Sequence, residues 1–284
     1  MFSTITRPVR RDLNLGTATG RHLVALDIDG TTLLHDGTLR PAVARGINAV
    51  REAGHEVVIA TGRSLLATQP VLDQLGISHG YAVCSNGAVT IRLDPALPEG
   101  FRIVDQRTFD PGPALDALRQ QWPTAVLAVE RVGIGFDVNA PFPPGELDGR
   151  VNVLPWEELR RRPTTRVIFS DPCGDVDEFA AAVERIGLHG VNYAVGFTAW
   201  LDVAPEGVSK ASALEQVRGQ VGVCAQRTVA VGDQRNDLEM LAWAACGVAM
   251  GNAPDRVKAA ADLVTGHVQD DGLLSVLAAL PAAG

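Results

Sequence analysis

Two acidic runs carry most of the chemistry open to this sequence. Asp27-Ile28-Asp29-Gly30-Thr31 follows an apolar stretch and sets two carboxylates at i and i+2, so both project the same way from an extended segment. Gly30 would let the chain turn sharply there and bring backbone N–H groups near an anion. Far along the chain, Val231-Gly232-Asp233-Gln234-Arg235-Asn236-Asp237 repeats the theme, with Asp233 and Asp237 at i, i+4 on a common face of a helical turn. Each run also has a plain structural reading: acidic turn residues in the first, a helix N-cap or dipole partner for Asp237 in the second. If the two runs converge, Asp27, Asp29 and Asp233 form an acidic pocket that repels itself. A hard cation with oxygen ligands relieves that repulsion, and Mg²⁺ bound by one or two carboxylates plus a substrate phosphate is the usual arrangement. Thr61-Gly62-Arg63 supplies a hydroxyl and backbone donors suited to a phosphate cradle. Lys210, after Glu206-Gly207-Val208-Ser209, supplies a point charge for a phosphoryl oxygen.

The elements around these residues would place them at strand ends. The run from His22 to Ile28 reads as a buried strand, Arg40–Ala53 as a helix with Val43, Ile47 and Val50 on one face and Gly54 as its C-terminal stop, and His55–Ala60 as a second strand. Leu65–Leu75 reads as a helix in which Pro70 must sit near a turn or kink, and Gly80–Ser85 as a third strand. This alternation signals parallel βαβ units, in which ligands bind at the carboxyl ends of the strands. Between about Asp110 and Val195 the rhythm changes. Strand-like runs at Ala125–Val129 and Arg166–Phe169, a helix candidate at Asp175–Ile186, and Pro141, Pro143, Pro144 and Gly145 suggest an inserted α+β module. The α/β rhythm returns after Lys210: helix Ala211–Arg218, strand Thr228–Val231, helix Asp237–Ala245, strand Gly247–Met250 and helix Asp255–Ala261. The domain reading is therefore a tail over 1–20, core over 21–107, insert over 108–195 and core again over 196–284.

Composition narrows the class. The 284 residues suffice for roughly two domains. With 25 basic and 33 acidic side chains the net charge is −8, which argues against a nucleic-acid partner. No apolar run reaches the length of a membrane span. Cys84, Cys173, Cys224 and Cys246 lack CxxC spacing and suit a reducing cytoplasm, and the six histidines lack the paired spacing of a zinc site. Arg7, Arg10 and Arg11 have no apolar stretch behind them, so the first twenty residues read as a poorly ordered tail and not as a secretory signal. Arg160-Arg161-Arg162 reads as a solvated surface cluster, Trp122, Trp156 and Trp200 as packing residues, and Gly133 and Gly135 as part of a β-hairpin. Asp270-Asp271-Gly272 reads as a turn.

Taken in order, Asp27-Ile28-Asp29-Gly30-Thr31, Thr61, Lys210 and Gly232-Asp233 with Asn236-Asp237 resemble the four motifs of the haloacid dehalogenase superfamily. Thr61-Gly62-Arg63, Ser85-Asn86-Gly87-Ala88, Gly207-Val208-Ser209-Lys210 and Ala249-Met250-Gly251-Asn252-Ala253 resemble its Cof-type branch, which carries a class IIB cap. The likeness runs from about residue 22 to the end, although the insert matches only in position and size. Thr32 stands where the branch usually has leucine and Ala211 where glycine is common; neither bears on the chemistry.

The resemblance implies an α/β fold: a Rossmann-like parallel-sheet core with helices on both faces, plus an inserted α+β cap. It implies Asp27 as a nucleophile forming an aspartyl-phosphate and Asp29 as general acid and then base. Mg²⁺ would be held by Asp27, the Asp29 backbone carbonyl and Asp233. Thr61, Gly62, Arg63, Lys210 and Asn236 would hold phosphate, with Asp237, Gly30 and Asn252 in support. The expected activity is hydrolysis of small phosphomonoesters, sugar phosphates leading, by a cytoplasmic protein without nucleic-acid or membrane partners. A monomer is favoured, because a lid already covers the site, and an oligomer is left open. The alternatives are a phosphomutase or phosphotransferase on sugar phosphates, and a phosphate-binding protein without catalysis.

Overall fold

A computed structural model describes residues 19–142, 145–170, the backbone of 191–195, and 200–283. Most of the tail, the helix candidate at Asp175–Ile186, Pro143, Pro144, Cys173 and His189 lie outside the described residues. The chain divides into two compact units, one of residues 1–57 and 221–284 and the other of residues 58–220.

In the first unit four strands run in the order β14-β13-β12-β1, all parallel: β1 (Leu23–Leu26), β12 (Thr228–Gly232), β13 (Cys246–Ala249) and β14 (Leu263–Val264). Every residue of β1, β12 and β13 is buried, which is why these segments read as unbroken apolar runs and not as alternating ones. Helix α1 (Pro41–Glu52) starts with proline at its first position and buries Val43, Ile47 and Val50. Its Gly46 faces Leu274 and Leu277 of the final helix, α8 (Leu273–Ala278); a β-carbon there would stand 2.7 Å from Leu274 Cδ2. The first two residues of β2 (Glu56–Ala60) belong to this unit, and Glu56 N–H donates to His22 O at 2.8 Å.

The second unit holds the rest of β2, then α2 (Leu65–Leu75), β3 (Gly80–Cys84), β4 (Val89–Leu93) and β5 (Phe101–Gln106). Strands β2 and β3 pair parallel, whereas β3-β4-β5 continue as an antiparallel meander absent from the sequence reading. Ser64 Oγ caps α2 by accepting from Ala67 N–H at 3.1 Å, and Gly76 ends the helix in the left-handed region (φ 67°). Pro70 lies inside α2.

The same unit contains a six-stranded, mainly antiparallel sheet in the order β10-β11-β9-β6-β7-β8. Its strands are β6 (Val126–Arg131), β7 (Gly135–Val138), β8 (Arg150–Val153), β9 (Val167–Ser170), β10 (Val191–Val195) and β11 (Trp200–Pro205). The expected β-hairpin around Gly133 and Gly135 is the antiparallel β6–β7 pair. The sheet continues past residue 195 through β11, which pairs with both β9 and β10. Leu115 and Leu118 of α3 (Gly112–Gln121) pack with Leu127, Phe169, Leu201 and Val203 of this sheet. Trp122 meets Phe169 edge-on at 5.0 Å and Trp200 meets Phe142 at 6.4 Å, so these tryptophans pack the module's interior. Arg160, Arg161 and Arg162 pair with Asp116, Glu157 and Asp137, beside the short helix α4 (Trp156–Leu159). Helix α5 (Lys210–Val221) closes the unit, while α6 (Leu238–Trp243) and α7 (Asp255–Ala260) belong to the first.

Candidate active site

Strand β1 stops at Leu26, and the next residues turn at once: the N–H groups of Thr31, Thr32 and Leu33 all donate to Ile28 O. Asp27 is therefore buried at the strand's mouth, while Asp29, inside the turn, is exposed. The two carboxylates thus differ in exposure, and the i, i+2 expectation rested on extended backbone that ends at Leu26. Strand alternation no longer governs side chains once the extended backbone has ended. Gly30 has φ 76°, and a β-carbon on it would collide with Asp233 Oδ2, so both backbone freedom and the close approach of Asp233 require glycine.

At the end of β12, Asp233 is fully buried and its carboxylate is held in place from three sides. Thr31 Oγ1 donates to Oδ1 at 3.2 Å, and Gln234 Nε2 and Asn252 Nδ2 donate to Oδ2 at 2.9 and 3.0 Å. Asn252 also donates to Gly30 O at 2.8 Å and accepts from Val268 N–H at 2.9 Å, which ties three loops to one amide. Asp237 accepts from the N–H groups of Asp233 and Gln234, each at 2.9 Å, so its Oδ2 closes the turn that presents Asp233. The ordinary capping role is thus real, yet Asp237 does more. Oxygen atoms of Asp27, Asp233 and Asp237, all buried, lie within 4.8 Å of one another. The carboxylates gathered here are 27, 233 and 237; the side chain of Asp29 is not in the group. An all-oxygen anionic set fits a hard cation such as Mg²⁺ or Ca²⁺ and not a soft one. Asn236 is half-buried in the short turn Arg235–Asp237.

The second unit assembles the other motif residues by itself. Thr61 is buried at the end of β2, and its hydroxyl accepts from Arg63 N–H at 3.1 Å. Ser85 N–H donates to Arg63 O at 2.8 Å and Asn86 N–H to Thr61 O at 3.0 Å, so the loops after β2 and β3 are laced together. Ser85, Asn86 and Gly87 are all left-handed (φ 49°, 53° and 103°), a costly run for two residues with side chains, of order 1–3 kcal/mol each. Its benefit is proximity. A β-carbon on Gly87 would strike Ser209 O and stand 3.2 Å from Lys210 N, so the bent loop packs directly under the segment that presents Lys210. Lys210 opens α5 and is buried.

Three residues had no signal in the sequence: Glu130 on β6, Arg166 just before β9 and Asp202 on β11. Arg166 Nη1 donates to Gly62 O, and Ser85 Oγ donates to Glu130 Oε1 at 2.9 Å. These partners are 104 and 45 residues apart, a pairing that no local pattern announces.

The haloacid dehalogenase-like hydrolase family matches this chain over residues 24–118 and 150–277. The chain belongs to that family, in its Cof-type branch, and it is a phosphatase. A 5-amino-6-(5-phospho-D-ribitylamino)uracil phosphatase of Bacillus subtilis (strain 168) is 26% identical over 268 residues, spanning 90% of this chain and 94% of the relative. The pyridoxal phosphate phosphatase of Escherichia coli (strain K12) is 30% identical over 272 residues, spanning 88% and 95%. The fold resembles that of a subclass IIB sugar phosphatase of the same superfamily, with a TM-score of 0.76 and 21% identity over 90% of this chain and 98% of the other. Among the described residues no helix is long and apolar enough to cross a membrane.

Proposed function

We propose that the protein hydrolyses small phosphomonoesters, sugar phosphates foremost, in a Mg²⁺-dependent reaction through an aspartyl-phosphate at Asp27. The observation that carries this reading is the gathering of the Asp27, Asp233 and Asp237 carboxylates at the ends of two parallel strands in a chain of this family. The Asp27 oxygen attacks phosphorus and the ester P–O bond breaks, while Asp29 gives its proton to the leaving alcohol. Water then attacks phosphorus, Asp29 takes its proton, and the bond to Asp27 breaks to release orthophosphate. The exposure of Asp29 suits a group that must trade protons with both alcohol and water. Asp27, the Asp29 backbone carbonyl and Asp233 would hold the metal, with Asp237 beside them. When bound, the cation supplies charge neutralisation between an anionic nucleophile and an anionic ester.

Thr61 and Lys210 hold phosphoryl oxygens in this reading, helped by the N–H groups of Gly62 and Arg63 and by Asn236, while Gly30 and Asn252 keep the loops in register. Phosphoryl transfer rests on positioning and charge more than on covalent complexity. The insert, 108–195 from the sequence and extended to β11 by strand pairing, acts as the cap that excludes bulk water and selects the leaving group. The relatives that act on pyridoxal phosphate and on a phosphorylated ribitylaminouracil support small soluble esters as the substrate class. In this reading the protein is cytoplasmic, with a monomer favoured and an oligomer left open. The test is a panel of phosphate esters assayed for orthophosphate release with Mg²⁺ and with EDTA, alongside Asp27→Asn. The expected result is metal-dependent release that falls at least about a thousandfold in the variant. Undiminished turnover by a folded Asp27→Asn protein removes the nucleophile from the scheme.

A further inference from the structure

We propose that the Glu130–Arg166–Asp202 cluster is a positioning device that sets the loops holding the substrate's phosphate, an inference that rests on the phosphatase reading above. Glu130 and Asp202 lie in the six-stranded sheet and Arg166 immediately precedes its strand β9, the module otherwise assigned to leaving-group selection. Glu130 and Arg166 are 4% and 6% exposed. Arg166 Nε lies 3.5 Å from Glu130 Oε2 and Nη1 lies 3.5 Å from Asp202 Oδ1, distances at which charge attracts but no good hydrogen bond forms. Neither Arg166 Nε nor Asp202 Oδ1 has a hydrogen-bond partner.

The direction of the hydrogen bond from Arg166 Nη1 is the telling feature. A buried guanidinium flanked by two carboxylates would ordinarily form bidentate bonds to one of them. Here Nη1 donates instead to the main-chain carbonyl of Gly62, between Thr61 and Arg63. The acids hold the cation by charge, and the cation holds the loop. Glu130 braces the second loop: Oε1 accepts from Ser85 Oγ at 2.9 Å, and Oε2 is fixed by Thr165 Oγ1 at 3.1 Å. Ser85 begins the left-handed run that brings Gly87 against Ser209 O and Lys210 N. One ionic cluster thus reaches Thr61 through Gly62 and Lys210 through Ser85 and Gly87. Burial pushes the Asp202 carboxyl above its ordinary range, with Arg166 pulling it the other way. Removing Arg166 therefore lets the half-buried Asp202 take up a proton instead of standing as an unneutralised charge.

Inhibition by orthophosphate, which has no leaving group, separates positioning of the phosphate loops from recognition of the alcohol. In Arg166→Met the orthophosphate inhibition constant is expected to rise about tenfold, and kcat/KM to fall by one common factor, of order a hundredfold, on esters with unlike alcohols. Arg166→Lys should recover part of both. Ser85→Ala, which leaves the ionic cluster intact, should raise the inhibition constant severalfold and decides the matter if Arg166→Met does not fold. An inhibition constant unchanged in the folded variants overturns the inference while leaving the phosphatase reading standing, and so does a loss that varies with the alcohol. A wild-type protein that neither cleaves any ester nor binds orthophosphate overturns both.

Discussion

The two units concentrate buried charge in opposite ways. In the first, three carboxylates of like sign, Asp27, Asp233 and Asp237, are drawn together at strand ends by hydroxyl, amide and backbone donors. In the second, an arginine stands between two carboxylates, and its hydrogen bond goes outward to a loop. A like-charged cluster stores repulsion, which a bound cation can relieve; an alternating cluster stores attraction, which can hold neighbouring chain in place. The first arrangement suits chemistry and the second suits support.

That contrast makes neutralising substitutions act with opposite sign. Glu130→Gln removes one partner of a buried ion pair and should lower stability by about 3 kcal/mol, a drop of several degrees in melting temperature. Asp27→Asn, measured in EDTA, removes repulsion and should raise stability by about 1 kcal/mol, or roughly 2–4 °C. Paired thermal melts check both, and shifts of the same sign would erase the distinction between the clusters.

A smaller effect sharpens the comparison, because the first unit contains another pair of like groups. His22 N–H donates to His55 Nδ1 at 3.1 Å, and the two rings lie 5.5 Å apart. Burial, and then His22, push the His55 imidazole below its ordinary range. The folded protein therefore keeps His55 neutral over a range in which the unfolded chain takes up a proton. The stabilisation is complete above the ordinary histidine value near 6.5 and is lost as pH falls below it. The melting temperature should accordingly fall more steeply between pH 6.5 and 5 in the wild type than in His55→Gln. Equal slopes would remove His55 as a contributor.

Much of the fold was legible because its signals are local. Gly54 and Gly76 mark helix ends by their left-handed backbone, and fully buried parallel strands such as β1 and β12 read as short apolar runs before Asp27 and Asp233. The meander β4–β5 was missed because nothing in its pattern separates a core edge from the start of an insert. Asp29 lies exposed because the strand ends before Asp27, and Asp237 joins the buried carboxylates because it is pulled inward by the two N–H groups it caps. Glu130, Arg166 and Asp202 stayed hidden because each sits in or beside an ordinary strand and acquires meaning only through partners on distant loops.

The central claim is that phosphorus is transferred first to Asp27 and then to water. The most direct measurement is the stereochemical course at phosphorus, using an ester of isotopically chiral phosphate turned over with an acceptor alcohol. Two in-line displacements give net retention of configuration, which is the expected result. Net inversion would mean a single displacement and would contradict the aspartyl-phosphate.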